Sequence, residues 1–166
     1  MTQPAKEYQT WTMLEKYLAE MTRQMAVAEY KPDVVIGPGR GAYIMGVMLS
    51  HYYDVPFHGF EWQTRDHGMI KESTRLETIL SKYSSEDILI VDDINDSGAT
   101  LTAINDVVEQ YDREENNNMF HLHEGIKYAT LYDKESSSFG DVSFTGNLVT
   151  PEQEKWIVFP YEDWWV

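Results

Sequence analysis

The residues with the clearest chemical promise lie in one stretch, ILIVDDINDSGATL. Two adjacent carboxylates, Asp92 and Asp93, follow four apolar residues. A run of small and hydroxylated residues comes next: Asp96, Ser97, Gly98, Ala99 and Thr100. Small residues allow close backbone approach, and the first amides of a following helix have no partner within it, so the run has the outline of an anion cradle. The hydroxyls of Ser97 and Thr100 add donors. Two carboxylates beside a phosphate would repel it unless they face something else, such as vicinal sugar hydroxyls or a divalent cation. The bland alternative is that Asp96 or Ser97 caps a helix and the acidic pair ends a strand in solvent. The stretch contains neither a Walker loop nor a dinucleotide fingerprint. A second loop of the same kind is Gly37-Pro38-Gly39-Arg40-Gly41, where Arg40 and the amide of Gly41 can present a guanidinium and a backbone donor to an anion.

Elements must bring these loops together. Val34-Val35-Ile36 reads as a short buried strand running into the first loop, and residues 88–91 as a strand buried on both faces running into the second. Further strands are expected over residues 56–62 and 126–132. A first helix is expected near Thr12, with Thr12 and Glu15 at capping-box spacing and Met13, Leu14, Tyr17, Leu18, Met21 and Met25 on its apolar face. A second covers residues 42–53. A third carries Leu101, Ile104, Val107, Val108 and Tyr111 on one face, and residues 112–118 form an exposed turn. Residues 63–85 are polar and mixed in charge, and no element is read there. Alternation of strand and helix implies an α/β fold with a parallel twisted sheet flanked by helices, in which ligands sit beyond the carboxyl ends of the strands. Both loops then open on one edge.

Composition narrows the function. A chain of 166 residues fits a single domain. The formal charge of −15 argues against nucleic acid as a partner and against anionic lipid. With no Cys there is no disulfide, thiol nucleophile or thiolate metal site. No apolar run is long enough to span a membrane and the N-terminus lacks a signal-peptide core, so a soluble cytoplasmic protein is expected. The five His show no convincing metal spacing; His121 and His123 read as surface, and Trp11 as core.

The pattern of an apolar strand, two acidic residues, two variable residues and Asp-Ser-Gly-Ala-Thr resembles the phosphoribosyl-pyrophosphate (PRPP) signature of the type I phosphoribosyltransferases. The resemblance implies that Asp92 and Asp93 hold the ribose hydroxyls, with Asp93 helping to place Mg²⁺. It implies that Asp96, Ser97, Gly98, Ala99 and Thr100 wrap the 5′-phosphate. An Asp at position 96 is similar to the 6-oxopurine enzymes, in which this catalytic carboxylate handles the proton on N7; orotate enzymes usually have a neutral residue there. Tyr8, Thr10, Trp11, Met13 and Leu14 resemble the start of the bacterial xanthine-guanine enzymes. Gly39-Arg40-Gly41-Ala42 resembles their pyrophosphate loop, which gives Arg40 and Gly41 to pyrophosphate. Thr130 with Leu131, Tyr132, Asp133 and Lys134 resembles a strand ending in the lysine that reads the purine's 6-oxygen. KWIVFP resembles a tail whose Trp156 stacks on the base and whose Ile157 lies at the purine's 2-position. Residues 63–85 match a mobile lid by position, with Thr64, Arg65 and Lys71 as candidate contacts, although the usual Ser-Tyr pair is replaced by Thr64-Arg65. A hood is implied mainly over residues 135–166.

The implied activity is transfer of a 5-phosphoribosyl group from PRPP to guanine, xanthine or hypoxanthine, with Mg²⁺, in a homodimer or homotetramer. A PRPP-binding regulator of the same fold and a transferase for another base are the alternatives.

Overall fold

The structure is a computed structural model that describes residues 5–63, 70, 71, 73–115, 125–153 and 155–165. The side chains of residues 63, 70, 71, 73 and 115 fall outside that description, as do Thr64, Arg65, His67, His121 and His123.

The chain begins with a short strand, β1 (Lys6–Tyr8), and a long helix, α1 (Trp11–Val27). The cap of α1 is Thr10, whose backbone is extended and whose hydroxyl accepts from the Met13 amide at 3.2 Å. This corrects the expected cap at Thr12, which lies inside the helix: Leu14, Leu18, Met21 and Met25 have the predicted spacing and are buried, but the first turn starts earlier. Trp11, expected in the core, is half exposed at that end.

β2 (Val34–Pro38) and α2 (Gly41–Tyr53) follow as expected. α2 stops at Asp54, which takes a left-handed conformation with φ of 56°. β3 (Phe57–Phe60) is separated from a small antiparallel pair, β4 (Trp62–Gln63) and β5 (Ile70–Lys71). Next comes α3 (Ser73–Lys82), in the stretch where no element was read. Its Leu76, Ile79 and Leu80 are buried, so the second half of the expected lid is a core helix. The cause is a polar background that hides a narrow apolar stripe at helical spacing.

β6 (Ile88–Asn95) leads into α4 (Ala99–Glu115), and α4 takes in residues 112–115 of the expected exposed turn, with Asp112 buried, while residues 116–118 lie outside the described residues. β7 (Ile126–Lys134) and β8 (Val142–Val149) complete the main sheet, and β9 (Trp156–Val158) pairs with β1. The main sheet has the order β3-β2-β6-β7-β8, and every neighbouring pair is parallel. β8, expected in the hood, is therefore an edge strand of this sheet, and the small two-stranded unit joins both ends of the chain.

Strand alternation divides the apolar residues between two layers. Val35, Leu89, Val91, Ala129 and Leu131 face α1 and α2 in one core. Val34, Ile36, Ile88, Ile90 and Tyr128 face the other, with Leu76 and Leu80 of α3 and Leu101, Ile104 and Val108 of α4. Both faces of the central strands are covered, which is why they read as continuous apolar runs.

Candidate active site

All the parallel strands point their carboxyl ends to one edge, and three of them end in the loops singled out above. β2 ends at Pro38; Gly39 takes φ of 57° and turns the chain into Arg40 and Gly41 at the start of α2. β6 carries Asp92 and Asp93 and passes through residues 96–98 into α4. β7 ends at Lys134. The loops after β2 and β6 border a cleft of about 870 Å³, and Lys134 lies outside its lining. Arg40, Gly41, Asp92, Asp93 and all of residues 96–100 line it, so the two loops read from the sequence share one site.

Asp93 is the hinge between them. Its carboxylate lies so close to Gly41 that a Cβ there would fall 2.3 Å from Oδ2 and would have to push the carboxylate aside. Its Oδ2 also accepts a hydrogen bond of 3.0 Å from the Tyr161 hydroxyl, while its amide donates to Asp92 Oδ1 at 3.0 Å. Burial pushes both carboxyls up. Asp92 rises well above the ordinary range through desolvation and then the charge of Asp93. Asp93 rises to about 6 through desolvation, despite the Tyr161 bond that opposes it. Two adjacent carboxyls, one buried and one half-buried, whose charged forms are disfavoured by desolvation and neighbouring negative charge fit a hard divalent cation, which offsets both effects. Among the described residues no three His, Cys, Asp or Glu gather to bind a metal unaided. A cation here would complete its shell with substrate oxygens and water, as Mg²⁺ does readily.

The phosphate-cradle segment has a tight turn. Gly98 takes φ of 86°, and the Ser97 hydroxyl accepts from the Ala99 amide at 3.4 Å, so Ser97 also has the capping role foreseen as the bland reading. Asp96 is joined to Lys134: Lys134 Nζ donates to Asp96 Oδ1 at 2.5 Å. An acid and a lysine from adjacent strand ends thus stand as a pair beside the cradle.

Trp156, expected to stack on the base, and Ile157, expected at the purine's 2-position, both lie on β9. Trp156 is half exposed on β9 and is not part of the cleft lining, and Ile157 packs against the α1–α2 core. Among the described residues, the aromatic side chains that line the cleft are Trp62, Tyr161 and Trp165. Tyr161 stacks on Phe159 with rings 5.3 Å apart and 4° from parallel, and Phe159 packs on buried Tyr132. Tyr161 went unremarked in the sequence, although Phe-Pro-Tyr in an aromatic tail was the available signal. Of the expected lid contacts, Thr64 and Arg65 lie outside the described residues, and the backbone of Lys71 pairs with Trp62.

The profile of the phosphoribosyl transferase domain matches residues 4–162. The chain belongs to this family. The phosphoribosyltransferase is similar over 97% of its length to a purine phosphoribosyltransferase from Pyrococcus horikoshii Ot3, with 28% identity, 96% of that chain covered and a TM-score of 0.67. It shares its fold with the xanthine-guanine-hypoxanthine phosphoribosyltransferase of Helicobacter pylori at 19% identity, with 95% and 94% of the two chains covered and a TM-score of 0.64. A hypothetical protein from Neisseria gonorrhoeae with bound ppGpp has the same fold, at 18% identity, 98% and 92% coverage and a TM-score of 0.66. No curated protein matches the sequence. The phosphoribosyltransferase therefore has the type I fold expected from its PRPP signature, with the signature at the carboxyl edge of the sheet.

Proposed function

We propose that this phosphoribosyltransferase transfers the 5-phosphoribosyl group of PRPP to N9 of a 6-oxopurine, releasing pyrophosphate and a nucleoside 5′-monophosphate for purine salvage. The observation that carries this reading is the Asp96–Lys134 pair beside the phosphate cradle. A 6-oxopurine offers an acceptor at O6 and a proton at N7 on one edge. Lys134 is a donor for the first and Asp96 an acceptor for the second, and the two are already matched to each other. Adenine lacks the 6-oxygen that Lys134 would read.

In this reading residues 96–100 take the 5′-phosphate through their hydroxyls and the first amides of α4. Asp92 and Asp93 face the ribose hydroxyls and the positive charge that develops on the sugar as its anomeric C–O bond breaks. Arg40 and the Gly41 amide take the departing pyrophosphate. N9 forms the new bond to C1′, and Asp96 accepts the proton that leaves N7. Asp93, with Asp92, would hold Mg²⁺, which when bound supplies charge neutralisation to the pyrophosphate. Trp156 and Ile157 would have to reach the base from the hood, and Thr64, Arg65 and Lys71 would close over PRPP as a lid. The same reading includes a cytoplasmic homodimer or homotetramer; Tyr43 and Val47 leave exposed apolar surface on α2 that a second copy would cover. Among the described residues no helix is long and apolar enough to cross a membrane.

The test is pyrophosphate release with PRPP, Mg²⁺ and guanine, xanthine, hypoxanthine, adenine or orotate. Turnover of at least one 6-oxopurine, and of neither adenine nor orotate, is expected. Turnover of adenine or orotate alone rejects the base assignment. PRPP binding with no turnover of any base rejects the transferase reading in favour of a PRPP-binding regulator.

A further inference from the structure

β7 and β8 are parallel, yet only residues 135–141 connect them. Parallel neighbours ordinarily need a crossover of a dozen residues or more. The register pairs Lys134 with Val149 and Tyr128 with Val142, so the connection must return the chain almost the full length of β7. A turn closed by the Ser137 amide on the Lys134 carbonyl, at 2.9 Å, uses the first residues. The residues after the turn, with a bend at Ser138, cover the rest of that return as a strap with little slack.

This strap lies against the turn between β6 and α4. The Ser138 hydroxyl and amide both donate to the Ser97 carbonyl, at 2.7 and 3.2 Å. A Cβ on Gly98 would meet the Phe139 amide nitrogen and Ser138 Oγ, each at 2.5 Å, so the strap packs directly on the turn where Gly98 has no side chain. Underneath sits Asn95, 1% exposed at the end of β6. Its Nδ2 donates to Asp133 Oδ1 at 2.8 Å and to the Phe139 carbonyl at 2.9 Å, and its Oδ1 accepts from Ser137 Oγ at 2.8 Å. One buried amide thereby ties the end of β6, the end of β7 and the strap into a single unit. Phe139, buried on Tyr128, anchors the strap to the sheet.

We infer that Asn95 and Ser138 are positioning residues that hold the Ser97–Gly98 peptide, through the strap of residues 135–141, in the orientation that presents the start of α4 to a 5′-phosphate. The inference rests on the reading of residues 96–100 as the phosphate cradle. Its physical content is preorganisation: a cradle of backbone amides binds an anion well only if the peptides are fixed before the anion arrives. Neither side chain needs to touch substrate. Position 95 is one of the variable positions of the signature, and no feature of the linear sequence connects it with Ser138.

Calorimetric titration of the whole protein with ribose 5-phosphate and, separately, with pyrophosphate in the presence of Mg²⁺ tests this. The wild type is expected to bind both. Ser138 is exposed, so Ser138→Ala leaves the fold intact. It should weaken ribose 5-phosphate by roughly two- to tenfold, the range for one lost hydrogen bond, while pyrophosphate affinity and melting temperature stay put. Ser138→Thr, which keeps the hydroxyl, should restore wild-type affinity. Asn95→Ala should weaken ribose 5-phosphate further, again with pyrophosphate spared. Unchanged ribose 5-phosphate affinity in Ser138→Ala overturns the inference and leaves the cradle reading standing. Parallel loss of both ligands also overturns it, because general loosening of the site explains that result. Failure of the wild type to bind ribose 5-phosphate overturns the cradle reading itself, and the inference with it.

Discussion

Asp96 stands at the junction of two chemistries. Its backbone opens the phosphate turn, and its side chain meets Lys134. Removing its negative charge while keeping its shape isolates the second role. Asp96→Asn is expected to lower kcat by about 10²- to 10⁴-fold, the usual contribution of a positioned acid or base, with PRPP affinity changed little. Single-turnover kinetics and PRPP titration of the same variant check this, and wild-type turnover would remove Asp96 from the proton transfer. His58 offers a pH prediction that does not involve the cleft. Its ring nitrogen Nε2 is 2.9 Å from the Tyr83 hydroxyl, and burial, followed by the charges of Lys82 and Arg75, holds its pKa below the ordinary 6.5. Between that lowered value and 6.5 the unfolded chain binds more protons than the folded one. The stability tied to His58 is therefore complete above pH 6.5 and declines as pH falls through the folded value. In His58→Gln, denaturation midpoints between pH 7 and about pH 5 should fall less steeply than in the wild type.

At the scale of elements, the cap and the turn are the sensitive points. The Thr10 hydroxyl satisfies a free amide of α1, so Thr10→Ala should cost about 1 kcal/mol, whereas Thr12→Ala, inside the first turn and exposed, should cost far less. Chemical denaturation of the two variants distinguishes the caps, and equal losses would reject the assignment to Thr10. Gly98 is under two constraints at once, a φ of 86° and contact with the strap backbone. Gly98→Ala should lose at least about 1 kcal/mol from backbone strain alone, and should weaken PRPP binding because the turn must move away from residue 139. α3 explains why the stretch after residue 63 cannot all act as a lid. Leu76 and Leu80 are fully buried against the sheet, and Leu76→Ala should cost about 2–5 kcal/mol, a core penalty rather than a loop effect.

For the whole molecule, charge dominates. A net charge of −15 on 166 residues means that folding gathers like charges. Raising salt from about 10 mM to about 1 M shortens the screening length from about 30 Å to about 3 Å. The melting temperature of the ligand-free protein should rise over that range, and scanning calorimetry at matched pH reads it directly. A falling melting temperature would mean that favourable ion pairs outweigh the repulsion. Much of the architecture is legible in the sequence. Apolar runs of β2 and β6, each ending in a glycine-rich or acidic loop, are local patterns, and a sheet covered on both faces leaves that mark on every central strand. α3 was missed because its burial depends on three apolar residues in a polar segment. β8 was misplaced because a parallel edge strand reached by so short a strap has no local signature.

The sequence by itself determined the chemical types and their order: an acidic pair, a phosphate turn, an arginine between glycines, and a strand ending in lysine. Their adjacency on one edge also followed, because parallel strands must end together. Tertiary structure alone decided that Lys134 meets Asp96, that Tyr161 comes back from the tail to Asp93, and that Asn95 and Ser138 brace the phosphate turn. Each of these contacts joins residues from 38 to 68 positions apart, apart from the backbone they share no pattern, and each exists only once the sheet register is set. Local spacing records what a segment can do; which partner it finds is decided by the packing of the whole chain.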